Sequence, residues 1–369
     1  MTVASSPPPL PLRGVRVVEA GIALAGPFVG SLLAELGAEV IKVERPEGGD
    51  PMRLMGPRVK GVPLWWGVAA RNKTCIALDL KAEEGRSAFR DLLASADVLV
   101  ENYRPGVMER LGFGWDRLTA LNPRLVMLSI SGFGQTGPEA SRPGFGKIAE
   151  AFSGIVALTG RPEEAPLHIG FSVADTSAGL MGTFAACLAL YVRDRVSGRG
   201  SRIDIALYEP LFRMADCQLA IRELLGTAPR RTGSNDPHGW GVPIPRGRRV
   251  VPLRCGDGSW IALLLESSAA PALASRLGSP ADEHGIVAAL GARLNALSRD
   301  AARDLLRDLG VAACPVHDGG TIGTDPYFLA RGDVVHTEDP VVGPLVVPGS
   351  VPRAYGGAGL RLFNAPPPP

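Results

Sequence analysis

The sequence has no C-x-x-C pair: its five cysteines, Cys75, Cys187, Cys217, Cys255 and Cys314, are odd in number and far apart. That spacing suggests neither a thiolate metal site nor a disulfide framework, and a reducing, cytoplasmic setting fits it best. A Walker A lysine loop, a G-x-S-x-G nucleophile elbow and an H-E-x-x-H helix are all missing, so P-loop, serine-hydrolase and zincin chemistry have no support. His168, His238, His284, His317 and His336 are scattered, and no metal is expected. Charge of one sign is not in excess either. Lys+Arg 39 against Asp+Glu 37 leaves +2, too balanced for affinity drawn from nucleic-acid phosphates, so no nucleic-acid partner is expected. The longest uncharged run, 176–192, falls short of the ~20 apolar residues of a membrane span. It also contains Ser177, Gly179, Gly182 and Thr183, and a buried core helix is expected there, not a membrane contact. Residues 1–14 are Pro-rich and lack the basic start and apolar stretch of a secretory signal.

What is present is an ordinary globular composition over 369 residues, 46% hydrophobic and 21% charged, enough chain for two domains. From residue 15 short β-rich runs alternate with helical patterns: strands at 15–19, 39–44, 75–79, 97–101 and 124–131, helices at 28–36 and 83–95. This is βαβ grammar, and it predicts an α/β fold with a mainly parallel sheet and ligands at the carboxyl ends of its strands. The uncharged helix follows Asp175, then a strand at 202–207 and a helix at 210–225. Pro and Gly break all periodicity over 226–247, which reads as a linker or long loop. A hairpin, 249–254 with 259–264 across Gly256-Asp257-Gly258, and Ala/Leu-rich helices to about 309 predict a smaller α+β domain. The proline run 366–369 is expected to fray.

Three features point toward chemistry. Gly132-Phe133-Gly134-Gln135-Thr136-Gly137 is a literal G-x-G-x-x-G after a strand, but Pro138 follows at once, so no helix opens on the third glycine to hold a pyrophosphate. A shaped loop near a ligand is the better reading. Asp175 immediately precedes the uncharged helix, where an aspartate is a favoured N-cap; the helix N-terminus would keep it ionised, and an ionised carboxylate in a dry site can act as a nucleophile. Basic residues recur just past strands of one sheet: Lys42 with Arg45, Arg71 with Lys73, and Arg104 with Arg110. Guanidinium and ammonium groups so placed suit a phosphate-rich ligand.

Taken together, these segments resemble the family III CoA-transferases, the CaiB/BaiF family. The blocks that carry the resemblance are Leu12-Arg13-Gly14-Val15-Arg16-Val17-Val18, Ala25-Gly26-Pro27, Ala38-Glu39-Val40-Ile41-Lys42-Val43-Glu44-Arg45-Pro46, Arg71-Asn72-Lys73, Leu78-Asp79-Leu80-Lys81 and Glu101-Asn102-Tyr103-Arg104-Pro105-Gly106. The resemblance implies a Rossmann-like large domain built from 1–225 and a C-terminal return at 326–369, a small domain within 226–325, and an interlocked homodimer. It places the catalytic aspartate at Asp175 and the CoA contacts at Ala25, Arg45, Leu78, Lys81, Asn102, Tyr103 and Arg110; position adds Lys73 and Arg104.

The implied reaction moves CoA from an acyl-CoA donor to a small carboxylic acid through an aspartyl mixed anhydride and an aspartyl-CoA thioester, with no permanently bound cofactor. Gly132, Phe133 and Gly134 are expected to form an oxyanion or substrate loop, with Phe145 and Glu150 beside it. The related α-methylacyl-CoA racemases carry His in a Gly-His-Asp triplet; here that triplet is Gly144-Phe145-Gly146, which disfavours racemisation. Transferases of the family commonly have an acidic residue where Gly146 stands, and Glu150, one turn later, is a candidate substitute. A catalytically degenerate acyl-CoA-binding homologue is the remaining alternative.

Overall fold

The computed structural model describes residues 10–233, 247–339 and 341–352. The chain divides into two compact units, one of 1–153, 170–214 and 325–369, the other of 154–169 and 215–324. Most of the expected loop at 226–247 and the proline run at 366–369 lie outside the described residues.

The first unit holds a six-stranded sheet. Along the chain come β1 (Arg16–Glu19), α1 (Ala25–Glu35), β2 (Glu39–Glu44), the short hairpin β3 (Arg58–Val59) and β4 (Val62–Pro63), α2 (Leu64–Ala69), β5 (Lys73–Ala77), α3 (Glu83–Ala94) and β6 (Val98–Glu101). Then follow α4 (Val107–Arg110), α5 (Trp115–Leu121), β7 (Val126–Ser131), α6 (Gly146–Phe152), α7 (Ile155–Leu158), α8 (Val173–Val192), β8 (Arg202–Ala206) and α9 (Glu209–Met214), of which α7 belongs to the second unit. The strand order is β5-β2-β1-β6-β7-β8, all parallel. Every residue of β6 and β7 is buried, as strands covered on both faces require. Helix α3 shows how the covering is achieved: Gly85, Phe89 and Leu93 recur every four residues on its buried face. Phe89 meets Phe113 edge to face at 4.8 Å inside this core.

The strand order reverses between β1 and β6. The loops leaving these two strands therefore part there, opening the crevice in which open α/β sheets bind ligands.

The second unit has α10 (Gln218–Leu225) and an antiparallel sheet of β9 (Arg248–Arg254), β10 (Trp260–Glu266) and β11 (Ala313–Pro315). Helices α11 (Ala270–Leu277), α12 (Glu283–Leu294) and α13 (Arg299–Asp308) pack into the same core, where Ile261, Leu290 and Leu306 are fully enclosed. The second unit ends with α14 (Gly319–Ile322), and the chain returns to the first unit with α15 (Pro326–Arg331) and the hairpin β12 (Val334–Asp339) with β13 (Gly343–Pro348).

Two boundaries differ from the sequence reading. The single helix expected at 210–225 is broken at 215–217, and the unit boundary falls in that break. Residues 154–169 lie with the second unit because Arg231 reaches the carbonyls of Ala157, Arg161 and Glu164, and Gly233 donates its N–H to Gly160.

Candidate active site

The β1 end of the crevice rests on a buried charge cluster. Lys42 Nζ lies 2.7 Å from Glu19 and 2.8 Å from Asp50, and Lys73 Nζ lies 2.8 Å from the other Glu19 oxygen. Two carboxylates and two ammonium groups thus close to neutrality with essentially no solvent exposure. Burial alone would lower the Lys42 pKa, but Glu19 and Asp50 outweigh it and hold it above its ordinary value. Burial likewise acts to raise Glu19, and the two lysines reverse it.

The cluster shapes the turn after β1. Lys42 also donates to the Gly21 carbonyl, and Asp50 accepts the N–H of Ala23. Ala23 sits in left-handed backbone conformation, φ 59°, which a residue with a Cβ adopts at a cost of ~1 kcal/mol. From the β6 side, Asn102 grips Ile22 at both ends, accepting its N–H at 2.7 Å and donating to its carbonyl at 2.8 Å. The turn that delivers Ala25 to the start of α1 is therefore fixed from two strands.

Beside it is a cavity of about 300 Å³ walled by Ile22, Arg45, Leu78, Lys81, Tyr103 and Val107. Four residues expected to contact CoA, Arg45, Leu78, Lys81 and Tyr103, are thus brought together from three strand ends. Arg45 is braced by the Gly49 carbonyl. Arg104 and Arg110 are exposed on the stretch after β6 and do not wall the cavity. The expected basic cluster also loses its interior members. Lys42 and Lys73 belong to the buried charge cluster, Lys73 in addition donating to Pro27, and Arg71 pairs with Glu35. For Lys42 and Lys73, a strand interior between covering helices leaves the charge only protein partners.

Asp175 is the third residue of α8, and the N-cap is Ser172, so the expectation of an aspartate N-cap is corrected. Its carboxyl is nevertheless harder to ionise than a helix N-terminus alone implies. Burial pushes the Asp175 carboxyl up to about 6, with the nearby Glu150 carboxylate adding to this and the helix N–H and Lys147 opposing it. Its carboxylate lies directly against Gly146, the first residue of α6; a Cβ there would overlap Asp175 Oδ2. The missing acidic residue at 146 is thus a steric requirement of this arrangement. Glu150, on the next turn of α6, is fully buried and pairs with Lys147 at 2.7 Å. Gly146→Ala is expected to displace the Asp175 carboxylate and lower turnover by about ten- to a hundredfold, with little change in melting temperature. Unchanged kcat in steady-state assays of that variant would refute the steric reading.

The glycine loop is fixed by packing more than it is open. A Cβ at Gly132 would come within 2.9 Å of the Gly144 Cα, Phe133 is buried against Phe152 with ring centroids 5.1 Å apart, and the Gln135 N–H points to Asp204. Gly134 adopts φ 86° beside Asp204, while Phe145 is exposed at the entry to α6. A second cavity, about 430 Å³ and mostly apolar, opens at the first turn of α8 between Leu24, Phe28, Trp65, Phe171 and Thr176. Sequence reading missed this cavity, the Lys42 cluster and Lys147; only a lysine inside a strand pattern was a visible signal. Among the described residues, no His, Cys, Asp and Glu are grouped so as to hold a metal ion.

The model of CoA-transferase family III matches residues 12–368. Among named relatives, the succinyl-CoA–D-citramalate CoA-transferase of Chloroflexus aurantiacus is 38% identical over 95% of this chain and 89% of its own length. The acetyl-CoA:oxalate CoA-transferase of Acetobacter aceti is 34% identical over 94% and 90%. The crystal structure of a CaiB/BaiF family protein from Brucella suis superposes with a TM-score of 0.84, at 33% identity, over 98% of this chain and 96% of that one. A strand-end crevice, a carboxylate at the head of a long helix and a match along nearly the whole chain agree, and the chain belongs to CoA-transferase family III.

Proposed function

We propose that Asp175 is the nucleophile of a CoA transfer between an acyl-CoA donor and a small dicarboxylic acid. The observation that carries this is a half-buried carboxylate at the head of α8, seated on the Gly146 backbone and flanked by Ser172 and Thr176, which wall the apolar cavity. An Asp175 oxygen attacks the thioester carbonyl; the C–S bond breaks and a mixed anhydride and CoA thiolate result. The thiolate attacks the aspartyl carbon, releasing the donor acid and leaving an aspartyl-CoA thioester. The acceptor carboxylate attacks that thioester, and the thiolate then takes the acceptor acyl group, restoring Asp175. Bonds and charges balance without ATP or an external reductant.

Arg45 and Lys81 are suited to the phosphate-rich end of CoA, and Leu78 and Tyr103 to its base. Ala25, Asn102 and Arg110 belong to the same reading. Asn102 acts through the Ile22 turn it grips, and Ala25 opens the helix that this turn begins. Citramalate and oxalate, named in the relatives, are dicarboxylates, which supports that acceptor class. A stripe of exposed apolar residues on α8, Leu180, Phe184, Leu188 and Tyr191, supports a second copy of the chain as partner.

The test mixes the protein with a panel of acyl-CoAs and dicarboxylic acids without ATP or metal, reads new acyl-CoA by mass spectrometry, and adds hydroxylamine to trap an aspartyl ester. New acyl-CoA together with a hydroxamate at Asp175 is expected. Binding of acyl-CoA without exchange across the panel would sink the proposal.

A further inference from the structure

Lys147 lies one residue into α6, and its ammonium makes bonds of different purpose. It pairs with Glu150 at 2.7 Å, and it donates to the Phe171 carbonyl at 2.8 Å. That same carbonyl accepts the N–H of Val173, the first residue of α8. The turn into α8 is thus held from a second helix, three residues before Asp175 is reached. Glu150, fully buried, keeps the ammonium in place.

We propose that Lys147 is a positioning residue for Asp175, fixing the turn into α8 through the Phe171 carbonyl while placing a positive charge beside the nucleophile. The proposal rests on Asp175 as nucleophile. Glu150 is an anion next to a carboxylate that must itself be an anion to react, an arrangement that is unfavourable unless a cation stands with them. Other charged groups on the elements packed against α8 are engaged elsewhere. On α1 the sole charge is Glu35, at its far end and paired with Arg71. β7 carries none, and on β8 Asp204 accepts the Gln135 N–H while Arg202 faces Glu109 and Gln135. On α9, Glu209 accepts the Ala206 N–H, and Arg213 lies in the last turn. The charged groups acting on the Asp175 carboxylate, beside burial and the helix N–H, are Glu150 and Lys147.

The test is the pH dependence of kcat/KM for acyl-CoA in wild type, Lys147→Met, Lys147→Arg and Glu150→Gln, with hydroxylamine trapping at Asp175 in each. Wild type is expected to lose activity as pH falls through about 6, because the Asp175 anion is protonated there. In Lys147→Met that limb should move up by about one pH unit, Lys147→Arg should return it, and Glu150→Gln should move it down. A limb unmoved in both Lys147→Met and Glu150→Gln, with Asp175 still trapped, would overturn the proposal and leave Lys147 as a structural contact. If Lys147→Met does not fold, the Glu150→Gln limb decides alone. Absence of trapping in wild type removes the nucleophile reading and this proposal with it.

Discussion

Replacing Asp175 by Ala is expected to lower CoA transfer by at least about a thousandfold, because both covalent intermediates of the proposed route need its carboxylate. Asp175→Asn should be nearly as severe, since an amide is a poor nucleophile and no aspartyl ester can form. Acyl-CoA binding should persist, as the cavity around Arg45, Leu78, Lys81 and Tyr103 is built from β2, β5 and β6 and their following turns. Stability should change in the opposite sense to activity. The folded chain raises the Asp175 pKa to about 6 from 3.8, so it holds that proton more tightly than the unfolded chain does. The ionised carboxylate therefore works against folding above pH 6, and this cost disappears as pH falls toward the ordinary carboxylate range. Asp175→Ala at pH 8 is expected to melt no lower than wild type. Isothermal titration with a donor acyl-CoA, single-turnover assays and calorimetry check the three statements separately; transfer at more than a tenth of the wild-type rate would refute the assigned role.

Lys42→Met is expected to destabilise the fold by about 3–5 kcal/mol, the usual consequence of stripping one partner from a buried ion cluster. Lys42 is fully enclosed between Glu19 and Asp50, so its loss leaves Asp50 without an ion-pair partner in the cluster and Glu19 with Lys73 alone. Adding Asp50→Asn to Lys42→Met restores charge balance and should recover part of the loss, a coupling that distinguishes electrostatics from packing. Urea unfolding of the two single variants and the double variant measures both. A loss under about 1 kcal/mol for Lys42→Met would mean that the buried charges contribute no net stability.

The sheet was legible because its strands are short runs of Val, Ile and Leu that end in polar or Gly-rich residues. The expected strand at 39–44 coincides with β2, and the helix at 83–95 overshoots α3 by one residue. The place of Asp175 at the head of an uncharged helix was legible, although its position within that helix was not: a cap is decided by backbone angles at Ser172, which the local sequence does not reveal. Lys73 shows the other limit. As a strand-end lysine it reads like an anion-binding residue, yet β5 begins at Lys73 and the side chain turns inward to Glu19 and Pro27. Whether a lysine serves a ligand or the core depends on a carboxylate 54 positions away in sequence, and no local pattern carries that information. Gly146 reads as a departure from the family pattern until the Asp175 carboxylate is seen to occupy the space of its side chain.

Acyl-CoA thioesters and mixed anhydrides acylate free amines, which makes an enzyme that handles them a target of its own chemistry. This chain carries only five lysines among 39 basic residues. Two of them are sealed in the charge cluster beneath the crevice, and a third, Lys147, is paired with Glu150. That leaves Lys60, on an exposed hairpin, and Lys81, at the cavity wall, as the lysines open to self-acylation. Guanidinium groups, which stay protonated and do not attack carbonyls, carry nearly all the remaining positive charge.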